Sequence, residues 1–115
     1  MRLRVQKMVL LLSLALALIV TSQALAKERL FTVYNPNSYD AYVYVYASRT
    51  DVAADNPCAA PTVVGSNRQA DITVDPDNPC AWITQIEVVV RDSANDVKDR
   101  FTIEKGGYKE LEVMP

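Results

Sequence analysis

Apolar residues along this chain fall into two regimes. From residue 8 to residue 20 every position except Ser13 is apolar, whereas from residue 29 onward apolar and polar residues alternate in short runs. Alternation puts successive side chains on opposite faces of an extended chain, so the second regime predicts strands with one face inward. The cleanest case is Ala70-Asp71-Ile72-Thr73-Val74-Asp75, with Ile72 and Val74 inward and Asp71, Thr73 and Asp75 outward. Trp82, Thr84, Ile86, Val88 and Val90 share one face of a long strand whose other face carries Gln85, Glu87 and Arg91. Further along, Phe101 and Ile103 face inward against Arg100, Thr102 and Glu104, and Leu111 and Val113 against Glu110 and Glu112.

Turn formers separate these runs. Asn35-Pro36-Asn37-Ser38 lies between strand-like residues 29–34 and 40–48, which are expected to pair as a hairpin. Residues 62–65 form a short third candidate, and Asp92-Ser93-Ala94-Asn95-Asp96 and Lys105-Gly106-Gly107 break the later runs. Parallel neighbours need crossovers of about a dozen residues or more. Only residues 49–61 are long enough, and Pro57 restricts them to about one helical turn. The pattern predicts an all-β chain folded as a small antiparallel β-sandwich of about seven strands.

The first regime has a different origin. Arg2, Arg4 and Lys7 precede the apolar block and Ala24-Leu25-Ala26 closes it, which is the plan of a signal peptide cleaved after Ala26. The block is too short for a spanning helix, which wants about 20 apolar residues. The expectation is a signal peptide over residues 1–26, one folded domain over 27–115, no stable membrane anchor after cleavage, and a periplasmic or secreted location. Residues 27–115 keep two leucines against twelve valines and four isoleucines, with six tyrosines, two phenylalanines and one tryptophan. β-Branched and aromatic residues suit a pleated sheet and crowd a helix. The leading segment holds three of the 12 basic and none of the 14 acidic residues, leaving a net charge of −5. That acidity argues against nucleic acid or an anionic membrane as partner.

Both cysteines stand in the same pentapeptide, Asp55-Asn56-Pro57-Cys58-Ala59 and Asp77-Asn78-Pro79-Cys80-Ala81. Asn-Pro presets a turn, and in an exported chain two such cysteines are expected to form a Cys58–Cys80 disulfide. A structural zinc site needs four ligands, and this chain has two cysteines and no histidine.

The lack of histidine also excludes His-dependent triads and acid–base pairs, and no nucleophile elbow or phosphate loop is present. Asp71, Asp75, Asp77 and Glu87 are the carboxylates a small hydrolase would draw on, but they alternate with the core pattern as solvated positions do. A weak calcium candidate is formed by Asp55, Asp75, Asp77 and Asn78 if the disulfide brings the two loops together. No catalytic residue and no cofactor is assigned.

The singular remaining feature is Tyr42-Val43-Tyr44-Val45-Tyr46. Tyr42, Tyr44 and Tyr46 share one face, opposite Ala41, Val43, Val45 and Ala47. Either the tyrosines pack under a neighbouring element, or the small Ala/Val face fills the core and the tyrosines, joined by Tyr34 or Tyr39, form a binding strip for a protein or glycan. The expected function is an exported, non-catalytic binding module. The alternative is a structural or assembly subunit that pairs a sheet edge with a neighbour.

Overall fold

The computed structural model describes residues 26–114. The expected signal peptide, residues 1–26, lies outside the described residues except for Ala26. Seven strands form: β1 (Glu28–Asn35), β2 (Ala41–Tyr46), β3 (Thr62–Val64), β4 (Arg68–Val74), β5 (Gln85–Arg91), β6 (Val97–Glu104) and β7 (Tyr108–Glu110). Among the described residues one α-helix, α1 (Arg49–Ala53), follows β2, and one 3-10 turn (Pro79–Trp82) precedes β5. The strands make two sheets, one ordered β4-β1-β7 and the other β3-β2-β5-β6.

Both sheets contribute to one apolar core. Leu30, Phe31 and Val33 of β1, Ile72 and Val74 of β4, and Leu111 after β7 cluster with Val43, Val45, Val64, Ile86, Val88 and Val90 of the four-stranded sheet. Phe31 meets Phe101 of β6 edge to face across the layers, with ring centroids 6.3 Å apart. Burial of each such side chain contributes about 1.5–3 kcal/mol, so the alternating pattern stabilises the strands chiefly through this shared interior. The inward assignments of Ile72, Val74, Ile86, Val88 and Val90 hold, and Phe101 and Ile103 pack against the core as half-buried residues.

Four expectations are corrected. Residues 29–34 and 40–48 do not form a hairpin, because β1 and β2 belong to different sheets. The turn formers between them act as a buried corner. Asn35 is fully buried, donating through Nδ2 to the carbonyls of Tyr39 (2.7 Å) and Val64 (3.1 Å) and accepting from the Asn37 backbone N–H (3.0 Å). These bonds replace the ladder that a hairpin would supply and carry the chain from one sheet to the other.

Second, the pairing is not wholly antiparallel, since β7 runs parallel to β1 with Thr32 opposite Tyr108 and Tyr34 opposite Glu110. Neighbouring runs are too close in sequence for parallel pairing, but the crossover from β1 to β7 is nearly the whole intervening chain. β1 is the central strand of its sheet and carries a bulge between Arg29 and Phe31. The bulge lets Leu30 and Phe31 both become buried, and the Leu30 carbonyl accepts from the backbone N–H of Gly106. Gly106 has φ of +88°, a conformation that glycine adopts without steric cost.

Third, Trp82 is not a member of β5. It ends the 3-10 turn and is 78% exposed, because Asn78 caps that turn through the Cys80 N–H and the strand begins only at Gln85. Fourth, Val113 is 69% exposed. The chain leaves β7 at Glu110, and the backbone N–H of Leu111 still bonds the Tyr34 carbonyl. Asn37 then bonds the Glu112 carbonyl and the Met114 N–H, so side-chain amides rather than strand alternation hold this final segment.

Candidate functional site: a groove on the four-stranded sheet

The tyrosine pattern is settled by burial. Ala41, Val43 and Val45 are buried and belong to the core, so the alternate residues Tyr42, Tyr44 and Tyr46 stand on the outer face of the four-stranded sheet. Tyr42 lies opposite Val63 of β3 and Arg91 of β5, Tyr44 opposite Val89, and Tyr46 opposite Glu87. Tyr42 and Tyr44 remain half-buried, whereas Tyr46 is only 1% exposed.

The reason for that difference is α1. Ser48 accepts from the Asp51 N–H through its hydroxyl oxygen and donates to the Asp51 carboxylate, a short capping arrangement that starts the helix one residue past the bend. The helix ends at Ala53 with Ala54 as its C-cap, and Asp55 takes φ of 51°, turning its carboxylate to within 3.0 Å of the Tyr46 hydroxyl, which donates to it. The Cys58 N–H then bonds the Val45 carbonyl. Residues 48–58 thus fold back over the end of β2 and cover Tyr46.

Burial, then the hydrogen bond and negative charge of Asp55, push the Tyr46 phenol up to about 12. The folded state holds this proton more tightly than the unfolded chain, so the associated stability is complete below pH 10 and lost as pH rises through about 12. Over that window this group should cost the fold stability, read by urea unfolding across alkaline pH. Tyr46→Phe should show a correspondingly smaller alkaline loss, and an equal loss in the variant would rule out Tyr46 as its source.

Beside α1 the sheet surface forms a groove of about 620 Å³. Its lining includes Tyr46, Arg49 and Val52 on one side, Glu87, Val89 and Arg91 of β5, and Arg100 and Thr102 of β6. Glu87 accepts from the Thr102 hydroxyl (2.8 Å) and lies 3.7 Å from Arg49 Nε. Arg91 donates to the Asn95 carbonyl (2.9 Å), a neutral partner. Among the described residues Arg100 has no carboxylate within ion-pair distance. The groove lining thus holds three guanidinium groups and one carboxylate, which pairs with Arg49 alone, in a chain whose residues 27–115 are net acidic.

The other expected site residues lie elsewhere. Tyr34 is on β1, between Gln69 and Glu110 in the three-stranded sheet. Tyr39 sits in the β1–β2 corner, its hydroxyl accepting from Asn37 Nδ2 and its ring 5.8 Å from Lys98 Nζ. Burial and then the charges of Asp99 and Asp92 raise its pKa. Neither joins the Tyr42–Tyr44 face as part of one strip.

The calcium candidate residues have other partners. Asp55 accepts from Tyr46, Asp75 pairs with Lys27, and Asn78 uses its Oδ1 for the Cys80 N–H while Nδ2 donates to the Cys58 carbonyl. Asp77 is exposed, and no group of three acidic, His or Cys side chains among the described residues is arranged to hold a metal. Asp71 and Glu87 stand on different sheets, Asp71 accepting from the Thr32 hydroxyl.

The Cys58–Cys80 disulfide is present, but the two pentapeptides that carry it are not equivalent. The second opens the 3-10 turn with Asn78 as its cap, while in the first the Asn56 N–H bonds the Asp51 carbonyl as the chain leaves α1. Asn78 then reaches the Cys58 carbonyl, so the second copy supports the first.

Sequence reading missed the arginines. Arg49, Arg91 and Arg100 are separated along the chain, and each looked like an ordinary outward residue. Their common sign on polar positions next to the tyrosine strand was the only available signal. No helix among the described residues is long and apolar enough to cross a membrane. The chain matches no family model, no curated protein and no solved structure.

Proposed function

We propose that this chain is an exported, non-catalytic binding module, built as a small β-sandwich, whose ligand face is the outer surface of the four-stranded sheet. The observation that carries the reading is the burial of Ala41, Val43 and Val45, which turns Tyr42 and Tyr44 outward on the sheet that also bears the groove. Tyrosine provides large, rigid contact area at low entropic cost, suited to a glycan or protein partner. The disulfide fits an oxidising compartment, as the expected signal peptide does.

The alternative, assembly by strand addition, draws on the eight-residue β6 at the edge of its sheet. Lys98, Asp99, Arg100 and Glu104 place charge along that strand, a common guard against edge pairing, and the Glu112 N–H bonds the Asp99 carboxylate beside it.

The test compares residues 27–115 with a Tyr42→Ser/Tyr44→Ser variant on an array of glycans and on fractionated envelope proteins. Binding of a defined ligand should fall at least about tenfold in the variant, a loss of about 1.4 kcal/mol, while its melting curve stays cooperative. Undiminished binding by a folded variant would remove this face from consideration. Concentration-dependent polymerisation blocked by Thr102→Pro would favour assembly instead.

A further inference from the structure

We propose that the groove beside α1 binds an acidic sugar, a pyranose bearing a carboxylate, with Arg91 and Arg100 holding the anionic group. This rests on the reading of the outer sheet face as the ligand face and specifies its chemistry.

Charge is the first ground. Residues 27–115 are net acidic and contain five arginines, yet three of the five line this one groove. Glu87 offsets one of them, held between Arg49 and the Thr102 hydroxyl. Arg91 has a single neutral carbonyl partner, and Arg100 has no ion-pair partner among the described residues. Guanidinium groups present several N–H donors in a planar fork that matches a carboxylate bidentately. Unmatched donors of this kind favour an anion over a neutral ligand.

The second ground is the mixture of groups. Val52 supplies apolar surface, with the buried Val89 beneath it in the floor, and Glu87 supplies acceptor oxygens beside the arginine donors. A sugar acid has the matching set: a carboxylate for the arginines, hydroxyl groups that donate to Glu87, and C–H faces for the apolar patches. The groove volume of about 620 Å³ suits one or two sugar rings, within the general range of about 300–1,000 Å³ for small-ligand sites. Tyr42 and Tyr44 lie on the same sheet face, where a further ring can rest.

An acidic peptide fits less well. The groove floor is the outer face of β5 and β6, where side chains rather than backbone groups are presented, so a peptide main chain lying in the groove finds no ladder to join, the open edge of β6 lying in the plane of the sheet. Recognition must come from side chains, and Glu87 would repel an acidic peptide without receiving hydroxyl donors in return.

The experiment is calorimetric titration of residues 27–115 with digalacturonate and trigalacturonate, with the neutral galactose disaccharide and tetraglutamate as comparisons. The galacturonates should bind at least about tenfold more tightly than the neutral sugar. Their affinity should weaken as salt is raised to about half molar. Arg91→Gln and Arg100→Gln should each reduce affinity about tenfold, with thermal midpoints unchanged because neither side chain is in the core.

Equal binding of acidic and neutral sugars, or arginine variants without effect, would overturn the carboxylate inference. If the neutral binding were still lost in the Tyr42→Ser/Tyr44→Ser variant, the proposed ligand face would survive that result. Tighter binding of tetraglutamate than of the galacturonates would make the occupant an acidic peptide and overturn the sugar. Absence of binding by all four probes would also overturn it.

Discussion

Replacing Cys80 with serine should lower the unfolding free energy by about 2–4 kcal/mol. The bridge joins positions 22 apart, and on the loop-entropy account its main effect is to restrict the unfolded chain. The folded side adds to this, because Cys80 is fully buried in the core cluster and a serine hydroxyl there would need a partner. For a domain of this size each kcal/mol corresponds to about 4–8 °C in melting temperature. Urea or thermal unfolding of Cys58→Ser, Cys80→Ser and the reduced native protein should therefore show similar losses, with Cys80→Ser the largest. A reduced protein as stable as the oxidised one would contradict this account. The same change should weaken ligand binding more than stability alone requires, since Cys58 closes the segment that carries α1 and the groove wall.

Asn35→Ala should cost a comparable amount, about 2–4 kcal/mol, although nothing in the local sequence marks this asparagine as more than a turn former. Its side chain satisfies the carbonyls of Tyr39 and Val64 and the N–H of Asn37 in a site closed to water. Alanine would leave those three groups without their partner, and the penalty is the desolvation of each. Asn35→Asp supplies the sharper check. A carboxylate keeps the acceptor for Asn37 but faces two carbonyl oxygens with negative charge, so its pKa should rise above the unfolded value. Relative to the native protein, Asn35→Asp should thus be most destabilised at neutral pH and recover part of the difference as pH falls through that raised pKa. Chemical unfolding at neutral and mildly acidic pH would show it; a pH-independent difference would argue against the buried contact.

Much of the local structure was legible in the chain. Period-two alternation marked Ile72 and Val74, Ile86, Val88 and Val90, and Phe101 and Ile103 as core-facing because the side-chain direction of a strand depends only on its own residues. The turn clusters separated the strands for an equally local reason, and a chain with two cysteines and no histidine left one bridge to expect. Pairing between strands is not local. Asn35-Pro36-Asn37-Ser38 is compatible with a hairpin, yet β4 and β7 occupy both edges of β1, and the buried amide bonds of Asn35 and Asn37 hold the corner that takes β2 to the other sheet. Likewise β7 can lie parallel to β1 because the chain between them is long enough to build the whole opposite sheet and β4 before it returns. Trp82 is apolar enough for a core, yet the capped turn after Asn78 delays β5 and leaves it exposed. Tyr46 has the same residue type and strand parity as Tyr42 and Tyr44, and it is buried solely because Asp55 and α1 fold over it. The cationic groove is the fullest case. Arg49, Arg91 and Arg100 come from a helix and two strands, and packing of those elements, which no single stretch of sequence encodes, is what places their charges around one cavity.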